Sequence, residues 1–479
     1  MIFSLNLKGM LNVADEIKVD VAVLGGGPGG YVAALKASQL GGKVALVEGE
    51  GLGGVCTHKG CIPTKALLHS ASLIERIKSS GLHGVSVSDF SVDFPRTMDR
   101  VQRIVNRLAK GVEYLLNKSG VEVVRGIGRI RKHGLLEVAS TDKGGEVEIN
   151  WRRLIIATGS HPFKVPVPGI DGENVITSDD IFKLRDLPQS VVIIGGGAVG
   201  VEFATIMSGL GCEVSLVEMM PRLIPSEDNS AGNLLKKELE KRGVRVEVGA
   251  RVTRVSEGDG LKNVEATKGS EKLSLEGEVV LCASGRAPNT ENIGLEILRV
   301  ELTDKGFIKV DERMETNIPG VYAVGDVVGR YLFAHTAMQE GLIAAENAMG
   351  GQASMDYRVV PRCVYSQPEA AFIGISEDSA REGGYEIGVA EFPLIANGRA
   401  LTLDSTTGMA KLIYGKRFGE LLGAVIVAPE ASELIHEIAL AMRLEATVED
   451  LAGMIHAHPT LSEILREAAL RASGKPLHG

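Results

Sequence analysis

Short apolar, β-branched runs alternate along most of the chain with stretches whose apolar residues recur every three or four positions. That is the pattern of helices laid over buried strands. Residues 18–24 read as a strand, 31–39 as a helix and 43–47 as a second strand running into Glu48. Residues 91–118 have helical periodicity, 121–149 are β-rich, and 154–157 form another apolar strand. The strand–helix–strand pattern then starts again, with 190–194, a helix to Leu210 and 213–218. A helix at 230–242 and apolar strands at 279–283 and 321–324 follow. Beyond about Met355 the pattern changes to antiparallel-looking strands (411–414, 423–427) and two helices, 431–443 and 461–472.

The two similar halves share more than periodicity. Gly25, Gly27 and Gly30 join the first strand to its helix, and Glu48 ends the next strand; Gly195, Gly197, Gly200 and Glu218 repeat the set, each displaced by 170 positions. A G-x-G-x-x-G turn between strand and helix, with an acid at the end of the following strand, binds dinucleotides. The first glycine makes the turn, the second lets the pyrophosphate approach the backbone, and the third lets helix and strand pack. The helix N-terminus then faces the phosphates, and the acid accepts from the ribose hydroxyls. Two intact copies predict two nucleotides. At the second, Glu218 would repel a 2′-phosphate and Met219 and Met220 offer no cation to hold one, so NAD is expected rather than NADP.

Five residues after Glu48 begins Gly53-Gly54-Val55-Cys56-Thr57-His58-Lys59-Gly60-Cys61-Ile62-Pro63-Thr64-Lys65. Pro63 predicts a helix starting just after Cys61, which puts that sulfur at the positive end of a helix dipole, with Lys65 one turn in. Both favour a thiolate. The four residues between the sulfurs are expected to form a short loop that can close as a disulfide. Two packing cysteines, or half a zinc site helped by His58 or His69, fit the spacing as well. The position does discriminate between nucleotides: whatever the first glycine turn binds must react with a dithiol. A flavin does so and exchanges hydride with nicotinamide, so FAD is expected at the first site and NAD at the second.

Composition narrows the class. At 479 residues the chain has room for roughly three domains, and its charged fraction of 24% is ordinary for a globular protein. A net charge of −9 with no basic block argues against nucleic acid. No apolar run reaches the ~18 residues a bilayer span needs, and residues 1–18 carry neither a secretory nor a transit pattern. Five cysteines, an odd number, suit a reactive pair in a reducing compartment better than a secreted disulfide framework; the cytoplasm is the expected location. Near the C-terminus, His456-Ala457-His458-Pro459-Thr460-Leu461-Ser462-Glu463 has no third ligand to make its H-x-H a metal site. His458 is instead expected to act as an acid/base whose tautomer and charge Glu463 holds.

Taken together, the cysteine segment, the two glycine turns, Gly325-Asp326 and the His456–Glu463 segment occur in the order found in flavin disulfide reductases of the glutathione-reductase-like group. The chain resembles that family from Val19 to Ala472, its dihydrolipoamide-oxidising branch most of all. The resemblance implies an α/β fold with two Rossmann-like dinucleotide-binding domains and a C-terminal α+β dimerisation domain. The expected order is an N-terminal extension (1–18), an FAD domain (19–165), an NAD domain (166–288), a central domain completing the FAD site (289–354) and an interface domain (355–479). Cys56 would be the interchange thiol and Cys61 the thiolate against the flavin. Lys65 would sit at the flavin's reactive edge, paired with Glu202. Gly128, Ala157, Thr158, Gly159, Asp326, Ala334 and His335 would line the FAD; Val252 and Gly285 would join Glu218 at the NAD. His458, activated by Glu463, would serve the other subunit of a homodimer.

Further implications of the resemblance are the substrate and the partners: dihydrolipoyl groups, presented by 2-oxoacid dehydrogenase complexes or the glycine cleavage system. The chain departs from the family at Thr57-His58-Lys59, usually Leu-Asn-Val or similar. Two potential cations there are expected to make the dithiol more oxidising. The competing readings are an NAD(P)H-driven reductase of another small disulfide and a non-catalytic flavoprotein scaffold.

Overall fold

A computed structural model describes residues 15–142, 144–258 and 260–478, so most of the expected N-terminal extension lies outside the described residues. The chain separates into two compact units, each assembled from stretches far apart in sequence: residues 1–58, 105–161 and 287–355 in one, and 59–104, 162–286 and 356–479 in the other.

In the first unit the strand Asp15–Leu24 lies at the centre of a parallel sheet, between Val44–Glu48 and Gly145–Ile156. Glu122–Lys132 and Val321–Ala323 extend it on either side, and Leu135–Ser140 bridges two of the strands in antiparallel sense. Val21, Ala22, Val23, Leu46 and Ile155 are fully buried. This is why the strands read as continuous apolar runs, both faces being covered. The register pairs Leu24 with Val47 on one side and Ile156 on the other, which brings the carboxyl ends of three strands to one level. The helices Pro28–Gln39 and Ala334–Ala348 cover the sheet and pack on each other. They meet so closely that a Cβ on Gly341 would collide with the Gly29 carbonyl.

The second unit repeats the arrangement. Arg245–Val248, Glu213–Glu218, Ser190–Ile194, Val279–Cys282 and Val175–Thr177 form a five-stranded parallel sheet in that order. Ile194 pairs with Val217 and with Cys282, as Leu24 does with Val47 and Ile156 in the first unit. A three-stranded antiparallel sheet (Arg251–Gly258, Leu261–Lys268, Glu271–Gly277) belongs to the same unit. So does an antiparallel five-stranded sheet built from Arg362–Val364, Glu369–Gly374, Leu421–Ala428, Met409–Gly415 and Ile387–Pro393. The helices Ala431–Arg443 and Glu463–Ala472 pack on this last sheet around Ile426, Ile435, Ile464 and Leu465.

Gly341→Ala tests the helix contact of the first unit. In an exposed helix the change gains up to ~1 kcal/mol in propensity; here the added carbon meets backbone, and a net loss of about 1–3 kcal/mol is expected from overpacking. Urea unfolding gives the sign, and a stabilised variant contradicts the packing described.

Candidate active site

Both glycine turns are built as their spacing predicts. Gly25 has φ +108° and Gly195 φ +110°, a conformation that favours glycine. A Cβ on Gly25 would meet the Ala157 carbonyl, and one on Gly195 the Ala283 carbonyl. Gly30 and Gly200 lie on the carbonyls of Gly25 and Gly195, leaving no space for a side chain. Gly27 and Gly197 are the N-caps of their helices and leave the first-turn N–H groups uncapped by any side chain. Both helices lack acids in that turn. Such turns can cradle phosphate.

The two acids have a structural task that their spacing did not reveal. Glu48 Oε2 accepts from the Gly26 N–H at 2.6 Å, and Oε1 accepts from the N–H groups of Glu50 and Gly51 at 2.6 and 3.0 Å. Glu218 Oε2 accepts from the Gly196 N–H at 2.6 Å, and Oε1 from the Met220 N–H at 2.6 Å. Each carboxylate therefore fixes its own glycine turn; of about four lone-pair sites Glu48 keeps one for a ribose hydroxyl and Glu218 two. Arg222, the first cation after Glu218, is committed to Asn229 and to the carbonyls of Pro225 and Glu227.

Around the first cradle, Asn289 holds the 157–161 segment: its Nδ2 donates to the Thr158 carbonyl at 2.8 Å and its backbone N–H to the Gly159 carbonyl at 2.9 Å. Ser160 Oγ donates to Asp326 Oδ2 at 2.5 Å, and the Gly325 N–H donates to the buried Glu340 at 2.7 Å. Ala334 and His335 open the helix Ala334–Ala348, where the buried Thr336 Oγ1 has no hydrogen-bond partner among the described residues. Gly128 is less directly explained by a ligand. It is buried in its strand, and a Cβ there would lie 2.6 Å from Leu24 Cδ1. Its neighbour Ile127 is the exposed side chain beside Gly49. Around the second cradle, Val252 follows Ala250, whose N–H donates to the Glu218 carbonyl at 2.9 Å. Gly285 (φ +119°) has open space where a Cβ would be.

The cysteines lie on helices, and here the expected short loop is corrected. Gly54–His58 is a short helix containing Cys56, and the next helix, Cys61–Lys78, begins at Cys61 itself, with Pro63 in its first turn. Gly53 donates to the Gly26 carbonyl at 2.8 Å, and a Cβ on Gly54 would lie 2.6 Å from Gly27 Cα. The Cys56 helix is thus docked on the first cradle. Burial, and secondarily Cys56, raise the Tyr31 phenol above its usual range. Cys212, Cys282 and Cys363 are thiols. His58 Nε2 lies 2.9 Å from the Leu52 carbonyl and donates to it, so this ring is engaged with residue 52.

Lys65, one turn into the Cys61 helix, lies with Nζ 2.8 and 3.0 Å from the carboxylate of Glu202 on the helix Ala198–Leu210. The Tyr365 N–H donates to the same carboxylate at 3.1 Å, and the Tyr365 ring lies 4.3 Å from Lys65 Nζ. His458 Nδ1 donates to Glu463 Oε1 at 3.0 Å, while the Thr460 N–H donates to Oε2 at 2.8 Å. Burial would raise the Glu463 carboxyl, but these two donors outweigh it and hold the group below its ordinary range. His456 pairs instead with Glu437, at 2.9 Å, so the two histidines turn to different carboxylates.

A family profile described as pyridine nucleotide-disulphide oxidoreductase matches residues 19–341, and that family's dimerisation domain matches 360–469. The chain belongs to the pyridine nucleotide-disulphide oxidoreductase family. It is 42% identical over 463 residues to a dihydrolipoyl dehydrogenase of Thermus scotoductus, covering 96% of this chain and 98% of the relative. With a dihydrolipoyl dehydrogenase of Bacillus subtilis it shares 38% identity over 470 residues, 96% of this chain and 99% of the relative. The crystal structure of LpdA from Mycobacterium tuberculosis superposes with a TM-score of 0.87 at 29% identity, covering 95% of this chain and 99% of the other. As a pyridine nucleotide-disulphide oxidoreductase the chain is an FAD-dependent enzyme using NAD(H), and the dimerisation domain makes it a homodimer. The two turns fit those groups: bare glycines, uncapped helix starts and an acid bonded to each turn. Asn289, Ser160 and Tyr365, which hold the candidate residues Thr158, Asp326 and Glu202, were not expected from the sequence.

Glu463 gives a pH test of the His458 segment. A carboxyl depressed in the folded state stabilises it above the unfolded pKa of about 4.3, and that contribution is lost as pH falls through the folded value. The destabilisation caused by Glu463→Gln, followed by urea unfolding, is therefore expected to be constant at neutral pH and to shrink below that value. A penalty that grows with acidity contradicts the assignment.

Proposed function

We propose that the chain is a dihydrolipoyl dehydrogenase, oxidising dihydrolipoyl groups carried by a separate protein and reducing NAD+ to NADH. The observation that supports this most is the docking of Gly53 and Gly54 on Gly26 and Gly27, which suits a dithiol working beside the first dinucleotide. FAD occupies that first cradle and NAD the second. Bound FAD supplies two-electron exchange between a dithiol and nicotinamide.

The chain's own residues carry the thiol chemistry. His458, held by Glu463 in the tautomer that leaves Nε2 as acceptor, takes a proton from one lipoyl thiol. The resulting thiolate attacks Cys56 Sγ of a Cys56–Cys61 disulfide; a lipoyl–Cys56 disulfide forms and Cys61 leaves as a thiolate. The second lipoyl sulfur, its proton lost to water, attacks the first, closing the lipoyl disulfide and releasing Cys56. Two electrons now reside on the cysteine pair and one proton on His458. The helix start at Cys61 and the cation of Lys65 stabilise the departing thiolate. Exposure of the His458 side chain, 78%, suits a base that serves the partner subunit's disulfide. The lipoyl arm comes from a 2-oxoacid dehydrogenase complex or the glycine cleavage system, and thiols kept ready for exchange suit the cytoplasm.

Steady-state turnover with free dihydrolipoamide is expected to favour NAD+ strongly over NADP+. A preference for NADP+ overturns the role of Glu218, and activity confined to another small disulfide with NAD(P)H overturns the substrate.

A further inference from the structure

The loop that follows Glu218 is held at both ends. At the near end the Ile224 N–H donates to the Gly196 carbonyl at 2.7 Å, Leu223 packs against Gly196, and the Gly249 N–H donates to the Met220 carbonyl at 2.8 Å. At the far end two adjacent acids are buried against cations of the C-terminal antiparallel sheet. Arg362 Nε lies 3.1 Å from both carboxylate oxygens of Glu227, the side chains being 15% and 12% exposed. Lys411 Nζ lies 3.1 and 3.3 Å from the oxygens of Asp228, with side chains 8% and 6% exposed. Glu377 and Glu391 approach the same ammonium at 3.6 and 3.5 Å.

These pairs are poor candidates for simple stabilisers, because taking two charges out of water offsets most of what their attraction returns. Their effect is geometric. A buried carboxylate left without its cation must either move to water or take up a proton and lose the ion pair that held it, so each pair fixes the loop at one point. Asp228 also caps the helix Asn229–Lys241 through the Ser230 N–H, whereas Glu227 has Arg362 as its cation. Burial pushes the Glu227 carboxyl up even with Arg362 beside it. Of the two, the Arg362 pair is the one whose loss moves the loop furthest.

We propose that Arg362, assisted by Lys411, is a positioning residue for the nicotinamide nucleotide: it anchors Glu227, and through the 219–228 loop it sets the placement of Glu218 and Gly196 and hence the affinity for NAD. This rests on the assignment of NAD to the second cradle.

The test uses the FAD-loaded enzyme and three readouts: calorimetric titration with NAD+, KM for NAD+ against kcat, and the stopped-flow rate of flavin reduction by dihydrolipoamide, which needs no NAD. Arg362→Met is expected to raise Kd and KM for NAD+ roughly tenfold, equivalent to about 1.4 kcal/mol, with flavin reduction by the dithiol unchanged. Arg362→Lys, which keeps the charge, is expected to recover most of the affinity. Glu227→Gln gives the same comparison should Arg362→Met not fold. Equal NAD+ affinity in wild type and variants, or an equal loss in the dithiol half-reaction, overturns the inference alone; a wild type that binds no NAD+ overturns the cradle assignment with it.

Discussion

A buried ion pair joins the helix that begins at Cys61 to the helix that begins beyond Gly197. Glu202 sits in the middle of an otherwise apolar helix, 8% exposed at its side chain. A carboxylate there carries a desolvation penalty of several kcal/mol unless it is paired and hydrogen-bonded. Lys65 supplies the charge with two short contacts, the Tyr365 N–H supplies a further donor, and the Tyr365 ring covers the ammonium. The same two helices approach closely at Gly209, where a Cβ would lie 3.0 Å from Ala71 Cβ. The helix that begins at Cys61 and the helix Ala198–Leu210 are therefore held together as one pair. Any change at Lys65 or Glu202 acts on both.

The second organising device is used twice. In each nucleotide cradle an acid at the end of one strand reaches back 22 residues to the N–H in the middle of the glycine turn. The acid is thus the support of the turn, and in the proposed function a ribose acceptor as well. Its backbone partners hold it in place before any nucleotide arrives, which lowers the ordering cost of binding.

Much of this was legible in the sequence, for a physical reason. A glycine turn, its helix and its terminal acid lie within about one βαβ unit of chain, so Gly25, Gly27, Gly30 and Glu48 declare themselves locally and their copies confirm the pattern by a fixed displacement. The Lys65–Glu202 pairing was available only through family resemblance, its members being 137 residues apart. Asn289 with Thr158, Ser160 with Asp326 and Tyr365 with Glu202 are separated by 131, 166 and 163 residues, and no periodicity marks them. The short helix around Cys56 was hidden for another reason. Gly53 and Gly54, both at positive φ, look like helix breakers, but here they let the backbone touch the first glycine turn, and Gly54 itself opens the helix. The interleaved composition of the two units is likewise invisible to a reading that proceeds in chain order.

The proposed function rests on a Cys61 thiolate, stabilised by its helix start and by Lys65, that exchanges electrons with FAD. The most direct measurement is the absorption spectrum of the purified, flavin-loaded enzyme as dihydrolipoamide is added anaerobically. The account predicts a long-wavelength charge-transfer band that rises as the dithiol is reduced and is absent from Cys61→Ser. A flavin that bleaches with no such band, or a band that survives in Cys61→Ser, contradicts it.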